Sequence, residues 1–392
     1  MFQEHITVLE PFITKEVTDF DSGILYTTFR QLRNLCTTGP DVQSELCQNE
    51  VFNHTIIIVD RMIKDYSETL LPALKQGLQF IYNLSVNNEE NKPTIWAKYS
   101  FLKSWMTFQS DESIRNYVCG TLYNIVLNPM YTFQAYTDIT LMNSIIDSAV
   151  KGADFPLLFI ENLFQSDTEE TNRILTKLFD SDDTSHFYLL TLLLEYVKDN
   201  DINEHFINLI RSKFESKVSC AVSDSNGGSE LQEIYVLMKI LMELSVKSAV
   251  IPKLQKNVGL LDSSKSLLEF IHVKGKDKDS EFAPTEDIFP ERSKVENLKA
   301  NVIRLIANLC WKNKVMQDRV RETGCLPIIL DSCVRDGKNP FITETSIYAI
   351  RNLCELNVEN QKLIRNLNCE VYNEVVERMN NRSNLYIDGF TS

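Results

Sequence analysis

The chain has 392 residues, 43% of them apolar, and a formal charge of −14 with a pI near 5.0. That apolar content supports a packed core and excludes disorder throughout, while the acidity argues against electrostatic capture of nucleic acid or of an anionic membrane and suits a basic partner segment. With 12 glycines, 11 prolines and no sustained period-two alternation, helix dominates, and the expected fold class is all-α.

The opening residues, MFQEHITVLEPFITKEV, carry no basic start and no uninterrupted apolar run, so no secretory signal is expected. From Leu25 onward, apolar residues three and four apart form runs that end in an Asn-Leu or Asn-Ile pair. The pair stands at Asn34-Leu35, Asn83-Leu84, Asn124-Ile125, Asn162-Leu163 and Asn208-Leu209, in steps of 49, 41, 38 and 46 residues. The most apolar stretch, FYLLTLLLEYV at 187 to 197, is eleven residues long, short of the ~20 that a membrane span needs. A polar loop, SDSNGGSE at 223 to 230, precedes IYVLMKILMELS, a degenerate copy with Leu244 in the leucine role. The charged stretch 273 to 296 reads as a mobile insertion; without its 24 residues the step from Leu244 to Leu309 becomes 41. The two strongest copies, IRLIANLCWKNKVMQDRV and IYAIRNLCELNVENQKLI, follow 44 positions apart and contain Asn308-Leu309 and Asn352-Leu353. The tail begins as a helix with Val371, Val375 and Met379 on one face, expected to cap the last repeat.

Steps of this size match the period of about 40 to 47 residues in armadillo and HEAT arrays, which implies a right-handed α-solenoid of about eight to nine repeats. A lone helix pair cannot bury such faces, whereas stacked neighbours can. The small Cys36, Ser85, Cys310 and Cys354 after the pairs suit close packing at helix ends. The expected organisation is an N-terminal armadillo-like array at 1–272, the insertion at 273–296, C-terminal repeats at 297–367 and a cap and tail at 368–392.

Residues 297 to 367 resemble the ataxin-10 family through NVIRLIANLCWKNKVMQDRV, GCLPIILDSC and NPFITETSIYAIRNLCELNVENQKLI. Thr345 departs from the large aromatic common in that family. The resemblance implies a non-enzymatic cytoplasmic scaffold that self-associates and takes part in cell survival, cytokinesis or signalling. A yeast relative named for copper transport adds copper handling as an alternative.

The residues themselves give little support to chemistry. The nine cysteines are scattered without a Cys-x-x-Cys, as expected in a reducing compartment, and the closest pairs are Cys325 with Cys333 and Cys36 with Cys47. Copper(I) favours clustered soft ligands, and only a spatial meeting of Cys310 with Cys354 would offer them. His5, His54, His186, His205 and His272 form no ligand pair, and no nucleophile elbow, phosphate loop or dinucleotide turn occurs. No enzyme activity, cofactor, metal or small-molecule substrate is therefore expected. A nuclear transport adaptor is a further alternative, although three tryptophans are few for it.

The candidate binding residues are the repeated asparagines. Asn34, Asn83, Asn124, Asn162, Asn308 and Asn352 would align along a groove, where a carboxamide can both donate to and accept from an extended peptide. The competing reading is that each joins one repeat to the next. Arg33 and Arg351 precede their asparagines and Arg304 lies four residues before Asn308; they form either a basic patch for an acidic partner or ion pairs with neighbouring helices.

Overall fold

The computed structural model describes residues 3–180, 184–223, 230–285 and 295–367. Every regular element among them is a helix, and the chain divides into two compact units, Met1–Leu192 and Leu193–Ser392.

In the first unit the Asn-Leu or Asn-Ile pairs lie in the last turns of four helices, Ser22–Leu35, Leu71–Ser85, Glu112–Val126 and Asp154–Gln165, each packed on the next. Two helices connect each to its successor: Pro40–Gln48 with Glu50–Lys64, Lys92–Trp96 with Tyr99–Met106, and Pro129–Thr137 with Ile139–Val150. Three helices per step is the armadillo arrangement. The boundaries follow local chemistry. Asp21, Asp111, Asn128 and Asp138 cap helix starts by accepting backbone N–H groups, and Pro40 and Pro129 occupy first turns where no N–H is required.

Close contact between signature helices depends on small residues. A Cβ on Gly77 would lie 2.9 Å from Val59 and 3.3 Å from Phe29, and one on Gly120 would meet the Phe155 ring at 2.8 Å. Phe29, Phe80, Trp105 and Phe159 are fully buried, each worth about 2 to 3 kcal/mol in transfer free energy. Two large buried polar side chains find partners: Trp105 Nε1 donates to Asp60 Oδ1 at 3.1 Å, and the two terminal nitrogens of Arg115 pair with Glu112 and Asp147.

The second unit repeats the scheme with signature helices Leu231–Ser245, Leu298–Cys310 and Ile342–Cys354, again packed in order. Ile251–Leu254 and Val258–Lys274 connect the first two, and Lys314–Glu322 and Cys325–Asp331 the last two, before Val358–Asn366. The degenerate copy is thus a signature helix, with Leu244 fully buried at its end. Asn208-Leu209 is not a signature. Asn208 is exposed near the start of the 20-residue helix Glu204–Ser223, whose stripe of Phe206, Ile207, Ile210 and Phe214 continues past it. An Asn-Leu dipeptide marks a helix end only where the apolar stripe stops.

Helix Val258–Lys274 runs into the charged stretch, and residues 275 to 285 continue as turns and irregular chain. These residues are tied down: Gly337 N donates to Thr285 O at 2.6 Å, Lys338 Nζ to Glu281 O at 2.8 Å, and Phe282 packs edge-on against Phe270. The remainder of the insertion at 286–294, the polar loop from 224 to 229 and the tail at 368–392 lie outside the described residues. No described helix is long and apolar enough to cross a membrane.

Candidate functional site

Beyond the first, each signature asparagine reaches back to the preceding repeat. Asn83 Nδ2 donates to Arg33 O at 3.3 Å, Asn124 Nδ2 to Ser85 Oγ at 3.0 Å, and Asn162 Nδ2 to the Tyr136 hydroxyl at 2.9 Å. In the second unit Asn308 Nδ2 donates to Ser245 Oγ at 2.8 Å, its Oδ1 accepts from the Tyr348 hydroxyl at 3.1 Å, and Asn352 Nδ2 donates to Ala307 O at 3.0 Å. Asn34, which heads the series, instead accepts from the Arg33 guanidinium at 2.9 Å. The asparagines of the first unit are exposed or half-buried, whereas Asn308 and Asn352 are only 5% and 3% exposed. Hydrogen bonds between repeats are therefore their common geometry.

A second polar set lies beyond the pairs at Asn34 and Asn83 in the first unit and at Asn308 and Asn352 in the second. In Asn352-Leu353, the residues five and eight positions after the asparagine are Asn357 and Asn360; after Asn83 they are Asn88 and Asn91. Gln317 and Gln43 each stand nine after their own signature asparagine. Gln317 Nε2 donates to Cys310 O at 3.3 Å and to Asn352 O at 2.8 Å, and its Oε1 accepts from Asn357 Nδ2 at 3.2 Å. Gln43 Nε2 donates to Cys36 O at 3.2 Å and Asn83 O at 3.1 Å, and its Oε1 accepts from Asn88 Nδ2 at 3.1 Å. Asn360 Nδ2 and Asn91 Nδ2 close the set on Leu353 O and Leu84 O, at 2.8 and 2.9 Å. This staple occupies the last carbonyls of two adjacent helices, which have no partner within the helix. Its signal in the sequence was a glutamine at a constant offset, hidden because the polar breaks look like ordinary turns.

After Asn83, Asn308 and Asn352 the residue four positions on is left-handed, whereas Asn128 and Ser166, at the same offset from Asn124 and Asn162, are extended. Asn87, Lys312 and Leu356 have φ of 52°, 52° and 55°. Asparagine tolerates this conformation; leucine does so at a cost of about 1 to 2 kcal/mol.

On the exposed side, Arg33 Nη1 donates to Gln79 Oε1 at 2.8 Å, and Gln79 Nε2 to the Tyr117 hydroxyl, which links three signature helices of the first unit. Amides, not carboxylates, meet Arg33. In the second unit Arg304 and Arg351 are exposed and pair with no carboxylate among the described residues. Nearby in sequence are half-exposed Tyr348 and Trp311, the latter with the Lys312 ammonium 4.7 Å from its ring centroid, and Leu356, which is 92% exposed.

Among the described cysteines Cys220 is exposed, whereas five of those in the helix packing are held protonated. Burial pushes Cys36, Cys47 and Cys325 up to about 12 and Cys354 to about 11, and raises Cys310 well above its ordinary value with Cys325 as a lesser cause. Protonated thiols are poor nucleophiles and must lose a proton to bind a metal. Among the described residues no three His, Cys, Asp or Glu side chains gather as a metal site.

Residues 298–389 match the family described as the spinocerebellar ataxia type 10 protein domain. Human ataxin-10 is 30% identical over 362 residues, covering 86% of this chain and 74% of that protein. The ataxin-10 homolog of Dictyostelium discoideum is 51% identical over 75 residues, 19% of this chain and 12% of its own. Among solved structures, one concerning a phosphorylation switch in the interaction between cadherin and beta-catenin gives a TM-score of 0.38 at 13% identity, over 92% of this chain and 64% of that one. A computationally designed armadillo repeat protein for modular peptide recognition gives 0.26 at 13%, over 90% of this chain and 99% of that one.

Proposed function

The chain belongs to the ataxin-10 family, and from that premise we propose that it is a non-enzymatic cytoplasmic scaffold that binds partner proteins along its signature helices. The observation that carries this reading is the pair Arg304 and Arg351. In a chain of charge −14, two arginines on adjacent packed helices stand exposed and without a carboxylate among the described residues. An unpaired guanidinium presents a planar fork of donors suited to a carboxylate or phosphate. With Trp311, Tyr348 and Leu356 exposed close by in sequence, the partner segment that suits this face is acidic with an apolar residue among its charges.

The asparagines take a supporting part in this proposal. In the second unit both ends of Asn308 are occupied internally, so recognition falls to the arginines. Roles in cell survival, cytokinesis or signalling, and self-association, would then follow from which segments the face captures.

The test is affinity capture from native lysate with the wild-type chain, an Arg304→Ala/Arg351→Ala variant and an Arg304→Lys/Arg351→Lys variant, all with the same melting profile. Partners that elute with salt should disappear with the alanine variant and return in part with the lysine variant. Retention of all partners by the alanine variant removes this face from the proposal.

A further inference from the structure

A second region of the second unit lies at the N-terminal ends of the signature helices Leu298–Cys310 and Ile342–Cys354. Where helix Val258–Lys274 ends, a cavity of about 220 Å³ is lined by His272, Lys276, Lys299 and Arg335, with Asp331 and Asp336, against apolar Phe282, Pro284, Val334 and Ile342. Its walls are fixed by the bonds that tie residues 281 to 285 to Gly337 and Lys338. Asn297 N also donates to Lys338 O at 2.8 Å, and Ala300 N to Asn339 Oδ1 at 3.1 Å.

The charges in this cavity are unbalanced. Asp336 is buried and already accepts from Thr285 N, Lys338 N and Asn339 Nδ2. Asp331 is largely exposed, with its Oδ2 4.0 Å from His272 Nε2. The half-buried Lys299 ammonium makes no hydrogen bond or ion pair among the described residues. Burial lowers the affinity of His272 for a proton, and so do Lys299 and Lys276, against a smaller opposing effect of Asp331. Burial likewise lowers Lys299, with Asp336 and Asp331 opposing. Asp331 and Asp336 offset part of this positive charge, but Lys276, Lys299 and Arg335 outnumber them and Asp336 is committed to three donors, so a bound anion would balance the lining.

We propose that this cavity binds a small dianionic phosphate ligand, with Lys299, Lys276, Arg335 and protonated His272 around the phosphate and Phe282, Pro284, Val334 and Ile342 beside its organic part. The cavity exceeds the size of a bare phosphate, which leaves room for that part. The proposal does not depend on the arginine face.

The imidazole of His272, identified by its loss in His272→Gln, is the reporter. Its titration is followed by NMR in the full chain at constant ionic strength, with sodium chloride, inorganic phosphate or phenyl phosphate as probe. Phosphate should raise the His272 pKa where chloride does not, and phenyl phosphate should bind more tightly than inorganic phosphate. Lys299→Met should weaken both by about tenfold or more. Lys276→Met, at an exposed position that cannot disturb the core, should weaken both to a smaller extent. A His272 titration that responds equally to chloride and phosphate, or a phosphate response unchanged in both lysine variants, overturns the assignment.

Discussion

The two units use the same interrepeat staple in different surroundings. In the first, Asn88 and Asn91 are buried as their counterparts are, but the central Gln43 is only half-buried, so water can reach the glutamine and replace part of what it supplies. In the second, Gln317, Asn352, Asn357 and Asn360 are all buried; Cys310 O also accepts from Asn313 N, but Gln317 is the donor to Asn352 O and Asn360 the donor to Leu353 O. Identical hydrogen bonds therefore differ in their structural consequence, because an unmade bond is expensive only where solvent is excluded.

Removing the glutamine tests this most severely. Gln317→Ala should destabilise the second unit by about 2 to 3 kcal/mol, since buried Asn352 O loses its side-chain donor while Cys310 O keeps Asn313 N and Asn357 keeps Asp318, whereas Gln43→Ala should cost the first about 1 kcal/mol. Hydrogen exchange resolved by unit is the appropriate measurement, because two units need not unfold together. Equal losses would break the comparison.

The asparagines should follow the same order at smaller amplitude. Asn352→Ala leaves Ala307 O without its side-chain donor in a buried setting and should cost about 2 kcal/mol; Asn34→Ala, at the exposed head of the series, should stay within about 0.5 kcal/mol. Thermal melting of the paired variants checks this.

The smallest effect concerns the left-handed position, where the first unit has Asn87 and the second Leu356. Leu356→Asn should stabilise by about 0.5 to 1 kcal/mol by relieving the Cβ conflict, and Asn87→Leu should destabilise by a similar amount. Denaturation midpoints would reveal both. If Leu356→Asn also diminishes partner capture, the exposed leucine serves recognition at the expense of local strain.

How much of this was legible in the sequence varies by feature. The signature at Asn308 and Asn352 was plain because an uninterrupted apolar stripe leads into it, and Leu244 was found by period alone. Asn208 misled because the dipeptide was read without asking whether its stripe had ended. The role of the glutamine staple was not legible because, besides a local carbonyl seven residues back, its partners lie in the next repeat, 35 to 45 residues away. The cavity around Lys299 was invisible for the same reason: its lining comes from four separate stretches joined only by folding.

By itself the sequence determined the all-helical repeat, since a period near 42 residues and spacings of three and four are local properties of the chain. Only the tertiary structure decided which polar side chains are buried between repeats and which face solvent. That depends on the stacking of helices from different repeats, and burial determines whether an asparagine is repeat glue or an available donor, and whether an arginine is paired or free.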